Sequence, residues 1–430
     1  MKKTRSLRLP SASTLIIAAL TVAAGLPGTQ AANSSQATAT GTTQQKSSNW
    51  FAWLADNPGS LYKNPENPLL QELKLMGRVH YELGYVDGSD TNNDDFSEGH
   101  DEYRRVRIGT QGKFLQYFGF KYQINLVSDA RNTASGGDLD WGYDSIDEAY
   151  LSFDLAKALD SQRFDRLKLH YGRQKFVFSQ EGHLSSNKMP TIERAALSNK
   201  VYDSGRPTGL KVDGAAGDWS FQAALYSSST DGDDNAEFNG WQDDLLYYAH
   251  LAKQIDPQLK IGLDLSYNNA DASSEDSVLS YRWASSLHAT YDADIWGIAG
   301  DLIYGDNGGS DMTTDSERQG SFGGIVLTPY RWIVKDKLQA VAQYQYARAE
   351  ESEGIRINSR YGRAAGTGST PLADVNSGRG DEHHSIYTGL NYLLLGHQAK
   401  IQAGVEYQTM DTPSGDFETL TWLFTFRTYF

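Results

Sequence analysis

Lys260-Ile261-Gly262-Leu263-Asp264-Leu265-Ser266-Tyr267-Asn268 alternates without a break: Ile261, Leu263, Leu265 and Tyr267 are apolar, and the residues between them are not. A two-residue period sends successive side chains to opposite faces of an extended chain, so this stretch predicts a strand with one greasy and one wet face. The same holds for Ala399, Ile401, Ala403, Val405 and Tyr407 against Lys400, Gln402, Gly404, Glu406 and Gln408. It holds again for Leu279, Tyr281, Trp283 and Leu287 against Ser280, Arg282, Ser286 and His288. About sixteen such stretches follow from Gln71 to Phe430, beginning near residues 71, 100, 115, 145, 166, 206, 217, 243, 257, 278, 294, 319, 336, 381, 396 and 417.

Connections between the stretches alternate in length. Short turns lie around Lys113-Phe114, Gly217-Asp218, Asp256-Pro257, Asp292 to Asp294, Lys335 to Lys337 and Gly396-His397. Long polar loops are Asp87 to Glu102, Asp129 to Asp144, Phe176 to Gly205, Thr230 to Asp244, Asn268 to Asp276, Gly305 to Arg318 and Glu350 to Glu382. An even strand number with short turns at one end and long loops at the other predicts an all-β fold, a transmembrane antiparallel β-barrel in the bacterial outer membrane. A soluble sandwich has no reason to alternate its loop lengths, and it would turn its apolar faces into a core. The chain ends on Leu420, Trp422, Phe424, Phe426, Thr428 and Phe430, an alternation suited to a closing strand. In lipid only helices and closed barrels satisfy every backbone group, and no apolar run here is long enough for a spanning helix.

The 430 residues contain no cysteine, which excludes disulfides, thiolate clusters, a thiol nucleophile and a cysteine-linked lipid anchor. Lys and Arg number 39 against 54 Asp and Glu, so no nucleic-acid partner is expected. Aromatics reach 12%, with 25 Tyr and 9 Trp, and interfacial girdles would account for the excess. Lys2, Lys3, Arg5 and Arg8 precede the apolar run Leu15 to Leu26, and Thr29-Gln30-Ala31 follows, so residues 1–31 read as a signal peptide. Residues 32–68 read as a disordered arm and periplasmic N-terminal segment, because the Ser/Thr/Gln/Ala tract Asn33 to Ser48 is too polar to order itself. Trp50-Phe51-Ala52-Trp53-Leu54 fits either a helical turn or a plug-like contact. Residues 69–430 form the barrel.

A barrel of this size encloses water, so passage of solutes is the expected function. Residues 176–205 exceed the roughly 12–15 residues usual for a structureless loop, which predicts a third loop folded inward as a constriction. Gly77-Arg78, Tyr103-Arg104-Arg105, Phe120 to Asn125, Asp147-Glu148-Ala149, Leu167-Lys168, Gly172-Arg173, Ser185-Ser186 and Glu193-Arg194 then occur in one order. On these motifs the chain resembles the phosphate-selective porin O and P family, from about Leu69 to Leu210 and more loosely near the C-terminus. The resemblance implies a trimeric porin whose lumen arginines lead to a constriction. It implies that Arg78, Arg104, Arg105 and Lys121 contact anions there with Asp147 as acidic partner, and that Arg194 belongs to the constriction loop.

Alternation supports part of this. Arg78, Arg105 and Lys121 oppose their apolar neighbours and should face the lumen, free for anions or paired with Glu82, Asp147 or Glu148. Arg104 shares its phase with Val106 and Ile108, so it lies near the outer rim or needs a bulge to turn inward. Asp147 shares its phase with Ala149, Leu151 and Phe153, which makes Glu148 the better lumen candidate by pattern. The resemblance also implies a lysine immediately after Glu181, where this chain has Gly182. The nearest cations in sequence are Lys188 and His183.

Asp231, Asp233, Asp234, Glu237, Asp243 and Asp244 make one outer loop strongly acidic, and residues 87–102 are acidic too. Such a mouth would concentrate cations, or bridge divalent ions to lipopolysaccharide phosphate, whereas Arg356, Arg360, Arg363 and Arg379 would restore a cationic path if their loop dips inward. A general or cation-leaning porin on the same scaffold and a surface adhesin are the alternatives to an anion pore.

No enzyme is expected, because Ser286 and His288 share the lumen face rather than the lipid face a lipid hydrolase would use. No cofactor or metal is expected either. Asp231 to Gln242 lacks the glycine and glutamate of a calcium loop, and His383-His384 reads as solvated. The expected partners are small hydrophilic solutes or anions, outer-membrane lipid and further copies of the chain.

Overall fold

The computed structural model describes residues 58–127, 132–133, 141–203, 205–228, 244–270, 277–367 and 370–430. The signal segment, the arm as far as residue 57, most of the 129–144 loop and the acidic stretch 231–243 lie outside the described residues.

Sixteen long strands follow one another. They are β1 (Leu70–Ser89), β2 (Asp95–Phe114), β3 (Phe118–Val127) and β4 (Trp141–Asp154). Then come β5 (Arg166–Arg173), β6 (Thr208–Ala216), β7 (Trp219–Ser227) and β8 (Leu245–Gln254). The third quarter is β9 (Leu259–Asn268), β10 (Trp283–Asp292), β11 (Trp296–Asp306) and β12 (Ser321–Val334). The last is β13 (Leu338–Ala349), β14 (Glu382–Leu395), β15 (Ala399–Asp411) and β16 (Phe417–Tyr429). Two short segments, Ser60–Lys63 against β1 and Asn132–Thr133 against β2, bring the sheet to 18 strands. Consecutive long strands pair antiparallel, and β1 pairs with β16 from Arg78↔Tyr429 to Ser89↔Glu418, which closes the barrel.

Its exposure pattern is that of a soluble sheet turned inside out. Along β9, Leu263 (38%), Leu265 (47%) and Tyr267 (46%) are exposed, while Asp264 and Asn268 are fully buried. In a water-soluble protein that arrangement would forfeit the hydrophobic effect, whereas hydrocarbon outside the wall makes it the stable one. Exposed aromatics mark both rims. Trp219 and Trp296 stand by the short turns, and Tyr85, Tyr143, Tyr247, Tyr267 and Tyr304 stand at the long-loop end.

Two connections differ from expectation. The strand expected from about residue 278 begins at Trp283, and Leu279 and Tyr281 ahead of it are fully buried in the connection, with Tyr281 Oη donating to the Val201 carbonyl, instead of facing lipid. The polar stretch 87–102 is mostly strand, because β1 continues to Ser89 and β2 resumes at Asp95. Above the bilayer a paired backbone needs no apolar face, so alternation ends where the ladder does not.

Candidate functional site

The connection between β5 and β6 carries two short helices, Ser179–His183 and Ala196–Tyr202, and its attachments run around the inner wall. Ser179 N–H donates to Asp264 of β9 at 3.0 Å, and Gln180 N–H to Asp301 of β11 at 2.8 Å. Leu197 N–H donates to Gln345 of β13 and Gln343 donates to Glu181, both at 2.9 Å. Asn391 of β14, Lys400 of β15 and Arg427 of β16 donate to the carbonyls of Pro190, Met189 and Ser186 at 2.8, 2.7 and 3.0 Å. Arg78 of β1 donates to Ser186 Oγ at 3.0 Å. A segment inside a barrel has no sheet to join, so long polar side chains of the wall satisfy its backbone instead.

Two β-bulges set the charges. In the β1–β2 ladder His80 faces Arg105 and Tyr81 faces Tyr103, which leaves Arg104 as the extra residue. The bulge turns Arg104 toward the loop, where its Nε lies 2.9 Å from Glu193 Oε1. In the β3–β4 ladder Gln123 faces Glu148 and Ile124 faces Ile146, so Asp147 is the extra residue. It is 3% exposed and accepts from Arg107 at 2.8 Å and Arg206 at 2.9 Å. Glu148 pairs with Lys121. Re-aiming a side chain at a functional surface is a common use of a bulge.

A cationic band results. Arg78 lies directly opposite Arg107, a like-charge pair that costs energy unless an anion stands between or beside the two. Arg78, Arg107, Lys121, Lys175, Arg206 and Lys211 are set against Asp147 and Glu148, with Asp213 beyond Lys211. The phenol of Tyr202, on the loop, reports the local potential. Burial raises it, but Arg206, Lys175 and Arg194 outweigh burial and bring it down to about 6. Lys175 Nζ stands 2.8 Å from the carbonyl of Gly182 and 4.9 Å from the Tyr202 ring centre. An ammonium group therefore sits beside the position that lacks the expected lysine.

A second long segment also enters. Residues 350–382 carry the short helix Arg360–Ala364, and Arg360 donates to Glu102 of β2 through Nε (3.1 Å) and Nη2 (2.8 Å). Tyr361 Oη donates to the same carboxylate, and Asn358 donates to the Arg194 carbonyl, which joins the two inner segments. Gly84 makes room, since a Cβ there would come within 2.6 Å of the Tyr361 ring. Burial would raise the Glu193 carboxyl, but Arg104, Arg105 and Arg360 around it hold it well below the usual carboxylate range.

Of the residues singled out from sequence, Arg78, Arg105, Lys121 and Asp147 stand on the inner wall, and Arg104 joins them through its bulge. Arg105 is directly across from the buried His80, which bonds Asn187 of the loop at 2.7 Å. Lys188 is exposed. Arg194 is 7% exposed, donates to the carbonyls of Glu181 and Leu184 and lies 4.6 Å from the Tyr202 ring centre, so it braces the loop from within. Glu82 pairs with Arg427 rather than with the cations expected. Ser286 Oγ donates to Asp301 at 2.6 Å. His383 is buried and bonds the Thr409 carbonyl at 2.8 Å, while His384 is exposed, so only the second of the pair is solvated.

Sequence reading missed Arg107, Lys175, Arg206, Lys211 and Arg427. Arg107 was within reach, two residues from Arg105 and in its phase. Lys175 and Arg206 flank the loop where alternation stops, and nothing local marks them.

A closed barrel with an apolar outside, a polar inside and two segments hydrogen-bonded to that inside is the architecture of an outer-membrane porin. The family model for phosphate-selective porin O and P matches residues 73–295, more than half of the chain, and the chain belongs to that family. The match continues past Leu210 through the stretch where the motifs are weak and stops short of the C-terminal part. Among solved structures, an anion-selective porin from Comamonas acidovorans superposes with a TM-score of 0.52 at 12% identity, over 83% of this chain and 99% of that one. OprB from Pseudomonas putida gives 0.50 at 11% identity, over 83% and 94%. At these identities the likeness concerns the fold. No curated protein sequence matches the chain. The protein is an outer-membrane porin through which small hydrophilic solutes diffuse.

Proposed function

We propose that the pore favours anions, inorganic phosphate among them, and that the segment 176–205 forms its constriction. The observation that carries this is the cationic band, above all Arg78, whose buried Nε reaches no hydrogen-bond acceptor. A guanidinium in a low-dielectric wall with donors to spare attracts an anion more strongly than the same group in bulk water. Arg104, Arg105, Lys121 and Lys175 extend the band, Asp147 holds Arg107 and Arg206 in place, and Arg194 positions the loop. Lys188, exposed on the same loop, offers a further cationic contact. A cation-leaning pore rests on the acidic composition of the outer-loop sequences alone, and charges exposed to bulk solution are screened by salt within about 8–10 Å. The exposed apolar wall also suits contact with lipid and with other copies in a trimer.

The test is block of the single-channel chloride current by phosphate. Block is expected at or below millimolar phosphate, with Lys175→Ala shifting half-block by about tenfold, equivalent to about 1.4 kcal/mol. A current indifferent to phosphate would leave a general porin.

A further inference from the structure

Four groups that the pore reading does not use converge at one point between the loop and the wall: His183 on the loop, His250 on β8, Asp264 on β9 and His288 on β10. One donor atom from each lies within 4.8 Å of all the others. His183 Nε2 and His250 Nδ1 are 2.9 and 2.8 Å from Asp264 Oδ1, and His288 Nε2 is 3.3 Å from Oδ2. The geometry points to a binding site for a divalent late transition-metal ion of the zinc class, held by His183, His250, His288 and Asp264 and clasping the loop to the barrel wall.

Counting hydrogen bonds supports this assignment. A carboxylate offers about four lone-pair sites. Those of Asp264 receive Ser179 N–H and Tyr248 O–H, both at 3.0 Å, besides His183 and His250. His288 is 8% exposed, and its Nε2 aims at the same carboxylate with no hydrogen bond of its own. A fifth donor is thus directed at a full acceptor. A metal ion removes the conflict, because it takes lone pairs from neutral imidazoles and from the carboxylate, and no N–H need point inward.

The wall is shaped for the ring. His250 is the direct ladder partner of Asp264, and His288 that of Gly262. A Cβ on Gly262 would lie 2.3 Å from His288 Cε1 and 2.6 Å from Nε2, so the absent side chain makes the space the imidazole fills. In a tetrahedral zinc site the donors stand about 3.3 Å apart, given metal–nitrogen bonds of about 2.0–2.1 Å. The His288 separation, to Oδ2, equals that edge; the His183 and His250 nitrogens stand at the shorter hydrogen-bond distances of 2.9 and 2.8 Å from Oδ1, so an ion would draw them back slightly from the carboxylate as the donors, all within 4.8 Å of one another, close around it. Three imidazoles and one carboxylate suit zinc, nickel or copper and are a poor set for magnesium or calcium. Tyr248 and Ser179 orient the carboxylate, as outer-shell partners do in metal sites. Because His183 is the sole ligand from the loop, an ion here ties the Ser179–His183 end to β8–β10.

Untagged full-length protein, folded in detergent, is loaded with zinc chloride, desalted and assayed for metal by mass spectrometry. Retention of one zinc per chain is expected, with affinity falling at least about 100-fold in His288→Ala and in His250→Ala, and falling in Gly262→Ala although that variant keeps every ligand. No zinc on the wild-type protein, or equal retention by wild type and His288→Ala, would overturn the proposal. Zinc-edge absorption of the wild type settles the matter if a variant does not fold: three imidazole nitrogens and one oxygen are expected, and a shell without imidazole contradicts the site. Neither result bears on ion selectivity, which depends on other residues.

Discussion

Arg427→Ala is expected to lower the stability of the folded barrel by about 3–5 kcal/mol and to raise its single-channel conductance. Arg427 is 1% exposed and its Nη2 lies 2.9 Å from Glu82, which is fully buried. It also donates to the Ser186 and Ile192 carbonyls of the loop. Truncation leaves a buried carboxylate without its partner and two carbonyls without donors, and each such orphan carries a desolvation cost of its own. The same cut frees the Ser186 to Ile192 stretch from β16, so the loop should retreat from this side of the lumen. Urea titration of the refolded protein in vesicles reads the first effect and planar-bilayer conductance the second. Arg427→Lys should recover only part of both, because an ammonium lacks the fork that reaches a carboxylate and two carbonyls together. Wild-type stability with wild-type conductance would show that Asn391 and Lys400 hold the loop unaided.

Arg78→Ala combined with Arg105→Ala should shift ion preference toward cations by roughly five- to thirtyfold in permeability ratio, each charge near the path contributing ~0.5–1 kcal/mol in water. Stability should change less than in Arg427→Ala. Arg78 bonds a serine hydroxyl rather than a carboxylate, and Glu193 keeps Arg104 and Arg360 when Arg105 is lost. Reversal potentials of wild type and double variant in the same salt gradient measure the shift. An unchanged ratio would make both arginines structural.

The contrast between these two variants reflects what local sequence can and cannot carry. Alternation in stretches such as Lys260 to Asn268 specified strands, faces and strand number, because lipid outside and water inside act on every second residue alike. It misdirected Asp147 and, at Arg104, left the outer rim and an inward turn through a bulge both open, because one inserted residue reverses the phase. The bulges responsible are properties of paired strands, visible only once β1 lies beside β2 and β3 beside β4. Only motif order, through the family resemblance, placed those two residues inside.

The polar hairpin at residues 87–102 has the sequence character of a loop because solvent on both faces removes the alternation without removing the ladder. Nothing in the sequence of the closing strand marks Arg427, since its partners Glu82, Ser186 and Ile192 lie far away in the chain. The histidine cluster shows the same limit. His183, His250, Asp264 and His288 come from four separate segments with no ligand spacing to read, and only barrel closure with the loop inside brings them together.

Dominance of the inner cations over the acidic outer loops is tested most directly by the reversal potential of the wild-type protein in a planar bilayer under a potassium chloride gradient. A potential of the sign set by chloride is predicted, moving further toward the chloride equilibrium value as bulk salt is lowered and screening weakens. A potential of the sign set by potassium would contradict the account, placing control of permeation in the acidic mouth.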